Sequence, residues 1–235
     1  MLVDVVPEAA EATLHYAAEI AASYNQPGLQ ATSYHLLAQL WDGQGDYTIM
    51  EQMLKQASLI IADTNLDDAA LAYLGGTFVE QPLFVDTVSA AKAIRIKPYL
   101  DTVHTLKASR MEAEALSGMS ARLKKNLPGI ANWFHDRGVE RIFITLGTDG
   151  VFCSSAGEQG LEKAGKTADG VANASGAGDA FLAGIAYSWL QHWPLVKSAR
   201  FAISAANVAL SHRSTINPGM SAAAVNRIYA AQYAE

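Results

Sequence analysis

An α/β fold, with a sheet covered by helices in a three-layer α/β/α arrangement, is predicted here by two patterns. Short, nearly continuous apolar runs recur at Ser58-Leu59-Ile60-Ile61-Ala62, Leu83-Phe84-Val85, Val103-His104-Thr105-Leu106 and Arg141-Ile142-Phe143-Ile144-Thr145-Leu146. Helical stretches separate them, and strands apolar on both sides belong to parallel β-α units covered on both faces. A length of 235 residues, 50% of them hydrophobic, is enough to bury a substantial core.

Taken in order, Pro7 to about Tyr24 reads as a helix, with Pro in the first turn and Glu8 and Glu11 early. Asn25-Gln26-Pro27-Gly28 breaks it. Two short apolar runs around Asp42-Gly43-Gln44-Gly45-Asp46 suggest a β-hairpin. A strand at Ser58–Ala62 precedes a helix over Asp67–Leu74, and the strand at Leu83–Val85 precedes one over Ser89–Ile96. The strand at Val103–Leu106 leads to a helix from about Ser109 to Leu116, and another helix runs to Arg137-Gly138, whose Gly is a stop signal. Arg141–Leu146 is the clearest strand. The last third is helical, with starts near Gly176, after Pro194 and after Ser221. The one credible boundary lies near Gly28 to Ala31. It leaves 1–30 as a helical segment, 31–50 as the hairpin and 51–235 as the α/β body.

Composition narrows the function. Seventeen Lys+Arg against 23 Asp+Glu give a net charge of −6, against broad nucleic-acid or anionic-membrane binding. The first residues lack a basic n-region, and no uncharged apolar stretch reaches the ~20 residues of a membrane-spanning helix. Cys153 cannot form an internal disulfide and reads as strand packing, so a cytoplasmic protein is expected. The six His show no metal-ligand spacing.

The strongest chemical signal is Asn173-Ala174-Ser175-Gly176-Ala177-Gly178-Asp179, running into an apolar helix. Small residues let backbone N–H groups crowd a ligand, and a helix starting there aims its free N–H groups at an anion. Asp179 in that first turn could take a proton from a hydroxyl attacking phosphorus. The same spacing also suits a tight turn whose Asp only complements the helix dipole. Thr145-Leu146-Gly147-Thr148-Asp149-Gly150 ends the strongest strand, where open α/β sheets bind ligands, although taken alone it suits a plain hairpin turn into Val151-Phe152-Cys153 better. Glu112 could hold a magnesium shell through water; taken alone, it suits a solvated helix face better. Asp63 and Asp86 each end a strand on the cleft side.

Together these segments resemble the ribokinase-like (PfkB) carbohydrate kinases. Asn173–Asp179 is similar to their D-T-x-G-A-G-D signature, Thr145–Gly150 to T-x-G-x-x-G, and Lys107–Glu112 to K-P-N-x-x-E. Leu83–Lys92 and His104–Lys107 look most like the pseudouridine kinase branch, which reads V-F-V-D-P-V-S and H-T-L-K-P-N-R there. Residues 32–46 resemble the hairpin that supplies part of a sugar-site lid.

The resemblance implies a ribokinase-like fold, truncated at the N-terminus, carrying a small β-hairpin lid fragment. It also implies transfer of the ATP γ-phosphoryl group to a sugar or nucleoside hydroxyl, pseudouridine being the favoured acceptor. Asp179 would be the base, and Gly176, Ala177 and Gly178 the anion hole. Thr145, Gly147 and Gly150 would lie along the nucleotide, and Asn207 near adenine. Glu112 would help place Mg2+, while Asn173 and Thr215-Ile216-Asn217 are where a monovalent cation such as K+ is expected. The chain departs from the family at Asn173 for Asp, Ser109 for Asn, Ala108 for Pro and Thr87 for Pro. Residues 1–30 resemble nothing in the family's sugar-binding N-terminal portion. A catalytically impaired nucleotide-binding remnant or subunit is therefore the alternative, and a dinucleotide-dependent oxidoreductase a weaker one. A truncated sheet would expose an edge, which leaves pairing with a second copy as a homodimer open.

Overall fold

The computed structural model describes residues 51, 54–165, 176–214 and 217–233. The helical segment expected over 1–30 and the hairpin expected over 31–50 lie outside the described residues. Residues 59–164 with 194–199 make one compact unit; the described residues of 1–58, 165–193 and 200–235 make another.

The first unit holds a six-stranded sheet: β1 (Ile60–Asp63), β2 (Leu83–Asp86), β3 (Val103–Ser109), β4 (Arg141–Thr145), β5 (Val151–Ser155) and β6 (Glu158–Glu162). Strand order in space follows strand order in the chain. The first four strands pair in parallel. The last three form an antiparallel meander, so the expectation of parallel units stops at β4. Chain length explains the change. Residues 146–150 join β4 to β5, whereas a parallel crossover needs about a dozen residues or more.

Helices fill the parallel half. α1 (Asp68–Thr77) starts at Asp67, whose carboxylate accepts the Ala70 N–H at 2.8 Å. It runs past the expected end at Leu74, and so places Gly75-Gly76 inside the helix. α2 (Ala90–Ala93) is capped by Ser89 and tightens into 3-10 turns over Ile94–Thr102, around Pro98. α3 (Arg110–Ser117) and α4 (Leu127–His135) fill the β3–β4 connection. Each crossover steps one strand in the same direction, and α2 packs against α3 and α3 against α4. Phe84 and Val85 are adjacent in β2, point to opposite faces and are both 0% exposed, so both faces are covered. Burying side chains such as Phe84, Leu106 and Phe143 stabilises by about 1.5–3 kcal/mol each.

The second unit is helical: α5 (Ala177–Leu190), α6 (Leu195–Leu210), which lies in this unit from Arg200 onward, and α7 (Ala222–Tyr233). Its core combines small residues, among them Ala180, Ala183 and Ala205, with Tyr187, Phe201 and Met220. A Cβ at Gly184 would sit 2.7 Å from the Ala202 Cα, so a bare backbone is what lets α5 approach α6. Phe201 stacks on Tyr187 at 5.2 Å between ring centroids and meets Trp193 edge-on at the same distance. Among the described residues, no helix is long and apolar enough to cross a membrane.

Candidate functional site

Parallel strands deliver their carboxyl ends to one edge of the sheet, and the buried charged residues of the sheet unit, Asp86, Lys107 and Glu112, lie at or just after those ends. Asp63 lies beside Asp86 in the β1–β2 ladder, and Asp86 beside Lys107 in the next. Lys107 Nζ donates to both Asp86 oxygens, at 2.7 and 3.0 Å, in a pair that is nearly buried. Two charges withdrawn from water are tolerated there because each supplies the other's partner. Asp63 is held differently: its oxygens accept the Asn65 N–H and Nδ2 at 2.7 and 2.9 Å. Burial pushes its carboxyl above the usual range, and those two hydrogen bonds oppose the shift.

Glu112 is not on a solvated face. It is 7% exposed and closes a capping box at the start of α3: its Oε2 accepts the Ser109 N–H at 2.6 Å, while Ser109 Oγ accepts the Glu112 N–H at 3.4 Å. A residue remote in sequence joins it, since the Thr87 hydroxyl donates to the same Oε2 at 2.6 Å. The correction to a buried carboxylate has a simple cause. Ser109 turns α3 sharply out of β3, and the third helical position then folds back toward the strand ends.

The loop after β4 lies in the same unit. Thr145 sits opposite Ser109 in the β3–β4 ladder. Gly147, Thr148 and Asp149 form an exposed single turn leading into β5, so the hairpin and the glycine-lined strand end are one and the same segment. Asp149 takes Arg110 at 3.0 Å and Lys124 at 3.3 Å, and these cations hold its carboxyl below the usual range. Gly150, at φ 101°, is buried, and a Cβ there would overlap the Glu162 carbonyl oxygen. The sheet unit thus assembles Glu112, Thr145, Gly147 and Gly150 around neighbouring strand ends.

The other expected residues belong to the helical unit. Gly176, at φ 80°, is the N-cap of α5 and has no side-chain cap; its carbonyl accepts the Ala180 N–H at 2.9 Å. Ala177, Gly178 and Asp179 make the first turn, where N–H groups have no acceptor within the helix, and Asp179 is half-buried. Asn207 is buried on α6 and donates to Gln232 Oε1 of α7 at 3.4 Å, a helix-to-helix contact. Asn217 is occupied by its own turn: Oδ1 accepts the Gly219 N–H at 2.8 Å and its carbonyl the Met220 N–H at 2.9 Å. Asn173, Thr215 and Ile216 lie outside the described residues. Cys153 is packed inside β5 with its thiol pushed up to about 12 by burial, which leaves negligible thiolate.

Two members of the strand-end cluster, Thr87 and Lys107, carried no expected role. Ser109-x-x-Glu112 spells a capping box and was a signal for the buried carboxylate. Thr87 has no local signal, because its partner lies 25 residues away.

Residues 69–223 match the pfkB family carbohydrate kinase description, and the chain belongs to that family. It is 39% identical over 175 residues to the pseudouridine kinase of Escherichia coli strain K12, covering 74% of this chain and 55% of that one. Among solved structures, a candidate sugar kinase from Clostridium perfringens superposes with a TM-score of 0.73 at 31% identity, over 77% of this chain and 57% of that one. The Arabidopsis thaliana ribokinase, solved with ribose and ATP, gives 0.71 at 19% identity over 79% and 59%, a likeness of fold. The chain spans about half the length of the curated relatives it matches.

Proposed function

We propose that the chain is part of an ATP-dependent kinase that phosphorylates a sugar or nucleoside hydroxyl, with pseudouridine as the favoured acceptor. The observation that carries this reading is the start of α5. Gly176-Ala177-Gly178 precede a half-buried acid, Asp179, in the first turn of α5, the end toward which a helix directs its N–H groups. Such N–H groups stabilise negative charge developing on a transferred phosphoryl group. Asp179 takes the proton from the acceptor hydroxyl, the step a carboxylate beside an anion site is suited to. In the sheet unit, the exposed turn at Gly147 leaves backbone accessible to the nucleotide, and Gly150 fixes its exit into β5.

A magnesium ion suits Glu112 on one observation. Of its two carboxylate oxygens, Oε2 takes both hydrogen bonds and Oε1 none among the described residues. A buried anionic oxygen without a donor matches a hard, partly hydrated cation that takes most of its ligands from phosphate and water. Bound there, Mg2+ would neutralise charge between the phosphates.

Asp179→Asn tests the reading. With Mg-ATP and a panel of pseudouridine, ribose and fructose 6-phosphate, turnover should fall by about 10²–10⁴-fold, with ADP binding unchanged. Normal turnover in that variant overturns the assignment of the base. A second reading, nucleotide binding without turnover, is favoured by Ser109. It occupies the Asn position of the family motif, and its hydroxyl is engaged in capping its own helix. Phosphorylated product from any acceptor in the panel excludes it.

A further inference from the structure

We infer that Thr87 is a positioning residue that makes Glu112 a single-oxygen metal ligand; this rests on the metal role proposed above. The Thr87 hydroxyl has one proton and two acceptors in range, Glu112 Oε2 at 2.6 Å and the Lys107 carbonyl at 3.2 Å. The charged and closer oxygen takes it. The Ser109 N–H donates to the same oxygen at 2.6 Å. Two donors on one oxygen fix the carboxylate plane and saturate that side. Oε1 is then the oxygen left to a cation or to water in a cation's shell, and two-oxygen chelation is closed.

The clamp is itself held rigidly. The Thr87 N–H donates to the Lys107 carbonyl at 3.2 Å, and its own carbonyl accepts the Thr64 hydroxyl at 2.7 Å and the Ser89 N–H at 2.5 Å. The last contact closes a three-residue turn around Val88, a β-branched residue at φ 56°, where side chains of that shape are strained. Asp86 Oδ1 braces the turn by accepting the Val88 N–H at 3.0 Å. Backbone strain is retained because the neighbouring polar groups over-determine the turn, and its product is a hydroxyl aimed at Glu112. The pattern this segment resembles has Pro at the Thr87 position, which has no hydroxyl to offer. The clamp is therefore built from this chain's own residues.

The test titrates Mn2+ into the full chain saturated with ATP, reading free Mn2+ by electron paramagnetic resonance, with melting curves run on every variant. Thr87→Val, which keeps shape but not the hydroxyl, should weaken Mn2+ binding by about tenfold, and Thr87→Ser should stay within about twofold of the parent. In a Glu112→Gln background, Thr87→Val should add nothing. Parental Mn2+ affinity in Thr87→Val, or an undiminished loss in the Glu112→Gln background, overturns the positioning role and leaves the kinase reading standing. If the parent binds no more Mn2+ than ATP alone does, the metal role of Glu112 falls and takes the clamp with it. Should Thr87→Val fail to melt cooperatively, Thr87→Ala against Thr87→Ser makes the same comparison.

Discussion

The two units differ in the polar groups they bury. Among the described residues, the buried charged ones, Asp86, Lys107 and Glu112, lie in the sheet unit. Each is fixed by a side-chain partner: a lysine on a carboxylate, a hydroxyl on another. In the helical unit the buried polar residues are neutral, such as Ser188, Ser204 and Asn207, and the core rests on close approach of small side chains. Asp179 there stands at the third position of a helix whose N-cap is a glycine. Among the described residues, the sheet unit buries charged groups in side-chain pairs, and the helical unit buries neutral ones beside small side chains. Charge changes should therefore damage the first, and volume changes the second.

Removing one member of the buried pair gives the largest expected effect. Lys107→Met leaves Asp86 without its cation, and chemical denaturation should show a loss of about 3–5 kcal/mol. A loss below about 1 kcal/mol, the size of a surface pair, would break the contrast between the units. Next comes volume. Gly184→Ala drives a methyl into the Ala202 backbone, so α5 and α6 must part, at about 1–3 kcal/mol by the same measurement. An unchanged midpoint would show that close helix approach is not what holds the second unit.

The smallest effect is a pH dependence. His104 stacks on Phe84 at 5.4 Å and is half-buried, and burial pushes its imidazole below the usual range, with Glu140 opposing the shift. The unfolded chain then binds the proton more readily. Stability is full above about pH 6.5 and is lost as pH falls through the lower folded value. His104→Phe should lessen the drop in melting temperature between about pH 7.5 and pH 5. An equal drop in both proteins would place the acid sensitivity elsewhere.

Much of the sheet unit was legible because its strands are marked locally. Apolar runs ending in Asp63 and Asp86 gave both the strands and the edge where polar groups collect. β6 was not legible: Glu158-Gln159-Gly160-Leu161-Glu162 has one large apolar residue, 43% exposed, and becomes a strand by pairing with β5. The helix expected to end at Ile96 instead continues as 3-10 turns to Thr102, because tertiary packing of Ile96 and Leu100 overrides a sequence containing Pro98. Asp179 and the turn at Gly147 stood out through glycine spacing. Glu112 needed its cap to be read, and Thr87 needed the fold, since a bond across 25 residues leaves no trace in either segment.

Spatial strand order that repeats chain order has a consequence for assembly. Among the described residues, each strand after β1 pairs with the one synthesised just before it, so each of these closures costs little entropy. The ribosome can therefore add β2 to β6 one ribbon at a time, each beside a neighbour already made.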